Sequence, residues 1–454
     1  MNKKESINQR DEDKLKRISR KYSIKDGVFA TIKESVASNY ISPFAIVLNS
    51  PNYLIAMLSS IPGLLGPISE LFSSRLIEKY PRKRIVLQSV FFEILTWIPL
   101  IIIALLYNYG IIINLLPLML LIFFSIYVIT SNAASPAWFS WIGDLVEEKH
   151  RGRWFGKRNF IMGITALITT ISAALFLDFL KKKNLIMLGF ISLFLFAIIA
   201  RIISRYYLSK QYEPNIKIKK ENYFSFLQFI KKSPFNNFGR FAIFRAMING
   251  ATLIAGPFFT VYMLRDLGFN YTTFIIVSMS TTLFTLLSVK SWGRFSDKYG
   301  NYEIFKITSI LIAFIPILWI FSPNIFYLIF VAQLVSGIAW AGFNLAASNY
   351  VFDCVTPQKR GLAFSYYEVL NGVGVFIGAG IGAILVKYLT INFMNPILFI
   401  FIISGICRLL AGLVMLPRIR EVKCKQEFNS HRELKHLLAK TIKIPFGLGI
   451  KHHQ

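Results

Sequence analysis

Eight ionisable residues interrupt stretches that are otherwise apolar: Lys33, Glu34, Glu70, Glu93, Arg201, Arg245, Glu368 and Arg408. An ionised side chain in such a setting is costly, so it faces a partner or a water-filled space. Glu34, Arg245 and Glu368 stand out because their stretches also carry polar or glycine-rich faces. A carboxylate in a poorly solvated site can take up a proton, and an arginine beside it holds it ionised. That is the chemistry of coupling an ion to a movement. Asn249 shares a polar stripe with Arg245, Thr252, Gly256 and Thr260. Gln333, Trp340, Asn344 and Ser348 follow at helical spacings, which puts them on one face. An indole there can stack on a sugar, an aromatic molecule or an organic cation. Arg201, Glu70, Arg408 and Glu93 read as structural: the first three lie near the ends of their stretches, and Arg201 can snorkel. No partner for Glu93 can be placed. For the first group the plain alternative is a fixed interhelical ion pair with ordinary packing.

Other chemistries find little support. Cys354, Cys407 and Cys424 suit neither a disulfide framework nor a zinc site. His150, His431, His436, His452 and His453 all fall in loops or the tail, so no metal site or histidine relay is expected among the spans. There is no Walker A sequence, no cleavable signal peptide and no pairing of Cys or His with catalytic spacing, and no cofactor is implied.

The elements that must position these residues are long apolar runs. Of 454 residues, 54% are hydrophobic, and the mean hydropathy is +0.52. Runs of about 20 apolar residues are long enough to cross a bilayer as helices. Twelve are expected, near 27–48, 53–72, 85–106, 111–135, 160–180, 185–206, 237–264, 272–289, 304–321, 325–352, 362–388 and 393–416. Barrel strands would alternate, and these runs do not. The first span is unusually polar, with Thr31, Glu34, Ser35, Ser38 and Ser42 at helical spacing. Gly374, Gly378 and Gly382 form a ridge for close helix contact. Depth groups the three charges: Glu34, Arg245 and Glu368 each lie about 10–12 Å along their spans from the same side. Arg245 can pair with either carboxylate.

The chain repeats itself. Gly293-Arg294-Phe295-Ser296-Asp297-Lys298-Tyr299-Gly300 is read as a short charged turn between spans. Its weaker copy is Ser74–Pro81, where Arg75 matches Arg294 and Glu78 matches Asp297 at an offset of 219 (297 − 78). Asp144, Arg151 and Gly152 recur as Asp353, Arg360 and Gly361 at an offset of 209 (353 − 144). Two motifs repeating at nearly one spacing make two similar halves, a mark of many transporter folds.

Gly293, Asp297, Lys298 and Gly300 match the pattern G-x-x-x-D-[RK]-x-G, and the loop stands between spans 8 and 9. With the repeat and the twelve spans, the whole chain resembles the major facilitator superfamily of secondary transporters. The upstream copy departs from the pattern at Ser74, Glu78 and Pro81. The resemblance implies an all-α membrane protein, with twelve transmembrane helices in two pseudo-symmetric six-helix bundles. It also implies a central cavity lined by spans 1, 4, 7 and 10, and gating loops at Arg75, Glu78, Gly293, Arg294, Asp297, Lys298 and Gly300. Drug–proton antiporters of the superfamily carry a glycine-proline motif in span 5, and residues 161–168 lack it. In the signature loop a glycine would allow close packing, and Asp297 could accept helix N-terminal amides.

The expected layout is an N-terminal tail (1–26), a first bundle (27–208), a linker (209–236), a second bundle (237–416) and a basic tail (417–454). The first tail is expected to be disordered or surface-bound. Leu434, Leu437, Leu438 and Ile442 suggest a short amphipathic helix on an anionic leaflet. The net charge of +28 sits mainly in alternate loops, which places both termini in the cytoplasm of a plasma-membrane protein and makes nucleic acid an unneeded partner. Lys181, Lys182 and Lys183 break the pattern on the outer side. The expected partners are a small-molecule solute, protons or sodium, and lipid, with the chain a monomer. A non-transporting sensor or adaptor on the same scaffold is the competing reading; a membrane-embedded enzyme is a weaker one.

Overall fold

The computed structural model describes residues 3–77, 79–146, 151–214, 226–355, 360–389 and 394–422. Among them the regular structure is helical throughout. The first half comprises α1 (Lys3–Val36), α2 (Ile41–Val47), α3 (Asn52–Leu76), α4 (Arg82–Asn108), α5 (Leu116–Ala133), α6 (Ser135–Leu145), α7 (Arg151–Lys182) and α8 (Ile186–Ser209). A short α9 (Phe226–Lys232) leads into the second half: α10 (Asn237–Val261), α11 (Tyr271–Tyr299), α12 (Asn301–Phe321), α13 (Ile325–Tyr327), α14 (Leu334–Cys354), α15 (Arg360–Tyr388) and α16 (Pro396–Met415). Among the described residues, eleven helical stretches are long and apolar enough to cross a membrane, and they match expected spans 2 to 12.

The first span is built differently, and its polarity is the reason. Helix α1 ends at Val36, Ala37 takes φ −126° and ψ −58°, and a 3₁₀ turn over Ser38–Tyr40 leads into α2. Its far part is still core: Tyr40, Phe44 and Ala45 are fully buried. The expected 1–26 tail is helical rather than disordered from residue 3 onward, because α1 runs through it without a break. Ser19 and Tyr22 tie it down. Ser19 Oγ accepts the Tyr212 amide at 2.7 Å, and the Tyr22 ring stacks on Tyr207.

Packing differs between the two ends of the molecule. At the end away from the basic loops, one apolar cluster draws on both halves, from Phe44, Trp97 and Phe190 to Phe258, Tyr262 and Phe401. At the basic end each half has its own cluster, one around Trp141 and one around Tyr350. The buried core shared by the halves therefore lies at the end away from the basic loops. Helices α3 and α15 also keep the halves in touch. Ser60 Oγ donates to the Phe376 carbonyl at 2.8 Å, and a Cβ on Gly372 would stand 2.9 Å from the Gly63 carbonyl. The glycine ridge of α15 does serve close contact: Cβ atoms on Gly374, Gly378 and Gly382 would overlap the α10 backbone at Ala246, Gly250 and Ile254.

The signature stretch is not a loop. Residues 293–299 complete the last two turns of α11, and Gly300 alone makes the turn, at φ +92°. Trp292, Phe295 and Tyr299 explain the extension, since they pack ring on ring along one helix face.

Candidate functional site

Two polar clusters lie inside the halves. The first gathers on α1, α4, α5 and α8 around Lys33, which is 4% exposed. Its ammonium nitrogen lies 2.8 Å from Glu34 Oε2, from Glu93 Oε1 and from the Tyr127 hydroxyl. Three oxygens thus surround a group with three N–H bonds. The Glu93 contact is close but poorly aligned, an ion pair rather than a directed hydrogen bond. Glu93 is fully buried, and its other oxygen accepts from Arg201 Nη2 at 2.6 Å and Nε at 2.9 Å. Arg201 also donates to Ser204, which donates to Asp26 at 2.6 Å. Glu34 differs from Glu93 in exposure: 53% of its side chain is open, against 0%. Ser38, beyond the break in span 1, donates to the same Glu34 oxygen at 3.0 Å.

The second cluster is looser. Arg245 on α10 meets Glu368 on α15 at 3.4 Å, and its guanidinium lies 4.7 Å over the Tyr367 ring. Asn371 donates to Glu368 at 3.4 Å and accepts from Asn249 at 2.6 Å. The charged contact is well beyond the 2.7–2.9 Å of a strong charge-assisted bond. Glu70 on α3 is half-buried, feels the like charge of Glu368, and has no ion pair among the described residues.

The structure sorts the residues singled out from sequence. Arg245 takes Glu368, and Glu34 takes Lys33 instead. Arg201 does not snorkel: it is buried and holds Glu93. Arg408 does not reach an end either. It is 1% exposed and donates to the Ile312 and Thr252 carbonyls and to Ser404. Gln333 is buried in a π-helical turn and bonds Thr281 and the Val277 carbonyl of α11. Trp340 is half-buried and set edge-on to Phe343, while Asn344 and Ser348 are exposed on the same face. Sequence reasoning missed the Lys33–Glu93–Arg201 triad. The depth rule used for Glu34 would have found it, since Glu93 and Arg201 also enter from one side and carry opposite charge.

The repeat motifs meet at the heads of spans 3 and 9. Asp144 pairs with Arg82, the first residue of α4; Asp353 accepts from Asn301, the first residue of α12, at 3.2 Å. Glu213 accepts the Arg82 amide at 2.7 Å and Glu421 accepts the Tyr302 amide at 2.8 Å. Ahead of each glutamate, one backbone carbonyl is bonded by an aromatic side chain. Trp141 reaches Tyr212 O at 2.8 Å and Tyr350 reaches Arg420 O at 2.6 Å. Each half is thus closed by the segment that follows its last span. Asp297 lines a cavity of about 360 Å³ beside Asp353 and Glu421. Arg294 and Lys298 are exposed, and Lys298 lies over Tyr299. Gly293, expected to permit close packing, has open space where a Cβ would be; Gly300 is the tight one. Arg75 is exposed in the last turn of α3, while Arg151–Gly152 and Arg360–Gly361 begin α7 and α15. Glu78, the amphipathic tail segment, Cys424 and the five histidines fall outside the described residues.

Gly300 offers a sharp test. Its left-handed backbone disfavours any side chain, and a Cβ would overlap the Glu421 carboxylate. Gly300→Ala is expected to cost about 1–3 kcal/mol, read as a lower thermal midpoint, whereas Gly293→Ala should leave it unchanged.

At the opposite end the halves are latched. Asp178 of α7 caps α11, accepting from the Tyr271 and Thr272 amides at 2.8 Å each and the Thr272 hydroxyl at 2.6 Å. Arg265 donates to Asn52 and to the Ser50 carbonyl across the same divide. Lys181 of the unexplained lysine cluster lies 5.5 Å over the Tyr271 ring.

Known proteins agree with this architecture. A family model described as Major Facilitator Superfamily matches residues 27–254 and 238–448. An uncharacterised MFS-type transporter, YfiU of Bacillus subtilis, is 27% identical over 114 residues, 24% of this chain and 22% of its own length. The MFS antiporter QDR3 of Candida albicans is 29% identical over 137 residues, 28% of this chain and 19% of its own. The matched stretches thus span about a fifth of either relative. The inward-open xylose transporter XylE from E. coli superposes with a TM-score of 0.64 at 16% identity, over 92% of this chain and 98% of that one. With eleven spans among the described residues, two halves closed in the same way and a family match along nearly its whole length, this multi-pass membrane protein belongs to the major facilitator superfamily.

Proposed function

We propose that the protein moves a small solute across the plasma membrane by alternating access, driven by an ion gradient, with both termini in the cytoplasm. One observation carries this reading: the halves share a core at one end, have separate cores at the other, and each holds a cluster of ionisable groups within it. That geometry supports a solute site between two pseudo-symmetric halves, exposed first to one side and then to the other. The relative named as an antiporter supports coupling to an ion. Helices α1–α8 act as the first bundle and α10–α16 as the second, with 209–236 as the linker.

Glu34 and Glu368 are the coupling candidates, and Arg245 is the switchable partner of Glu368. Asn249, Trp340 and Asn344 belong to the solute path, and Asp297 with its repeat partners to the gates. The test is transport by purified protein in vesicles against an imposed pH or sodium gradient. Glu34→Gln and Glu368→Gln are made in turn. A coupling residue loses gradient-driven accumulation and keeps solute exchange at equal pH. Full accumulation in both variants removes these carboxylates from coupling. Topology is checked separately. A single cysteine at Asn108 should label from outside intact cells, and one at Lys79 only after permeabilisation.

A further inference from the structure

The first cluster holds an arrangement that a fixed ion pair does not need: one lysine shared by two carboxylates of opposite character. We propose that Lys33 is the positioning residue of ion coupling, exchanging its charge between Glu34 and Glu93 as Glu34 gains and loses a proton. This rests on the coupled-transporter reading above.

Lys33 Nζ stands at 2.8 Å from both carboxylates. Glu93 is sealed from solvent and doubly bonded by Arg201, so its charge is fixed. Glu34 is half exposed, so water can deliver a proton to it. The groups facing Glu34 are Lys33 and Ser38 from its own span, Tyr127 from α5 and, through Lys33, Glu93 from α4. Arg201 on α8 pairs with Glu93 rather than Glu34, and also donates to Ser204 beside Asp26.

The chain of contacts from Asp26 to Ser38 is not a proton wire. It passes through Arg201, and a guanidinium does not give up its proton in a protein. The proton must come and go at Glu34. When hydronium gives a proton to Glu34 and leaves as water, the carboxylate becomes a neutral acid. Lys33 keeps all three of its protons and settles on Glu93, its remaining anion. The tie that Glu34 makes to Ser38 then loses its charge. That tie spans Ala37, where span 1 is broken. Loading Glu34 thus frees the one irregular joint in the first span, and broken helices with ionisable groups at the break are where transporters act.

The experiment reads Glu34 directly in the full-length purified protein. The infrared band of its protonated carboxyl is assigned by its loss in Glu34→Gln and followed against pH. In Lys33→Gln the nearest cation is gone, so the band should appear at a pH about one unit higher than in the unmodified protein. In the double variant Glu93→Gln/Arg201→Gln, Lys33 has Glu34 alone, and the band should appear about one unit lower. Opposite shifts identify a shared lysine. Shifts in one direction, or none, overturn the proposal. The readout needs no transport: shifts as expected with gradient-independent flux would sink the coupled reading and leave the shared lysine standing.

Discussion

Arg201→Gln is expected to destabilise the protein by about 3–5 kcal/mol, the usual cost of leaving a buried charge unpaired. Glu93 would then keep only Lys33, which is shared with Glu34. Glu93→Gln should cost as much, because Arg201 would retain only Ser204 and the more distant Asp26 as polar neighbours. The double variant removes both charges and should recover more than half of either loss. The measurement is thermal unfolding in detergent, arranged as a double-mutant cycle. A double variant as unstable as the sum of the singles would mean that the two residues do not act as a pair.

Asp178→Ala should open the far end. Three bonds to a carboxylate are lost, two of them from the first amides of α11. Charge-assisted bonds contribute about 1.5–3 kcal/mol each when buried. Asp178 is only half-buried, so about 2–3 kcal/mol in total is a fair expectation after screening. That shifts the balance between closed and open far ends by roughly 30- to 150-fold. The prediction concerns populations, not folding: expression and thermal midpoint should change little. A cysteine at Ser42, on the polar stripe, should react with an impermeant reagent from outside much faster in the Asp178→Ala background. An unchanged rate would mean that the shared apolar core alone keeps this end shut.

Much of the architecture was legible because membrane spans announce themselves by length and hydropathy, and spans 2 to 12 fall where the apolar runs are. The glycine ridge of α15 was legible for a similar reason, since its spacing of four lies on one helix face. Arg245 and Glu368 met because equal depth on neighbouring spans is a strong constraint. What depth could not supply was azimuth. Gln333 has the spacing of a lining residue yet turns toward α11. Arg408 lies within two turns of a helix end, yet it turns inward to carbonyls of α10 and α12. The clasps at Glu213 and Glu421 escaped notice because neither lies in a hydrophobic pattern; a cap is visible only when the amide it holds is known.

Those clasps bear on how the chain is made. Glu213 and Glu421 stand just past the last span of each half and close on helices that precede them. A ribosome delivers the chain from its N-terminus, at about 5–20 residues per second. Everything the first clasp joins, from Ser19 and Arg82 to Trp141 and Glu213, has been synthesised before the second half begins. The first bundle can therefore seal its basic end on its own, and the second can do so when residue 421 emerges. Asp178 must wait for Tyr271 and Thr272. The latch between the halves is thus a late event in biogenesis, made between two units that have already closed.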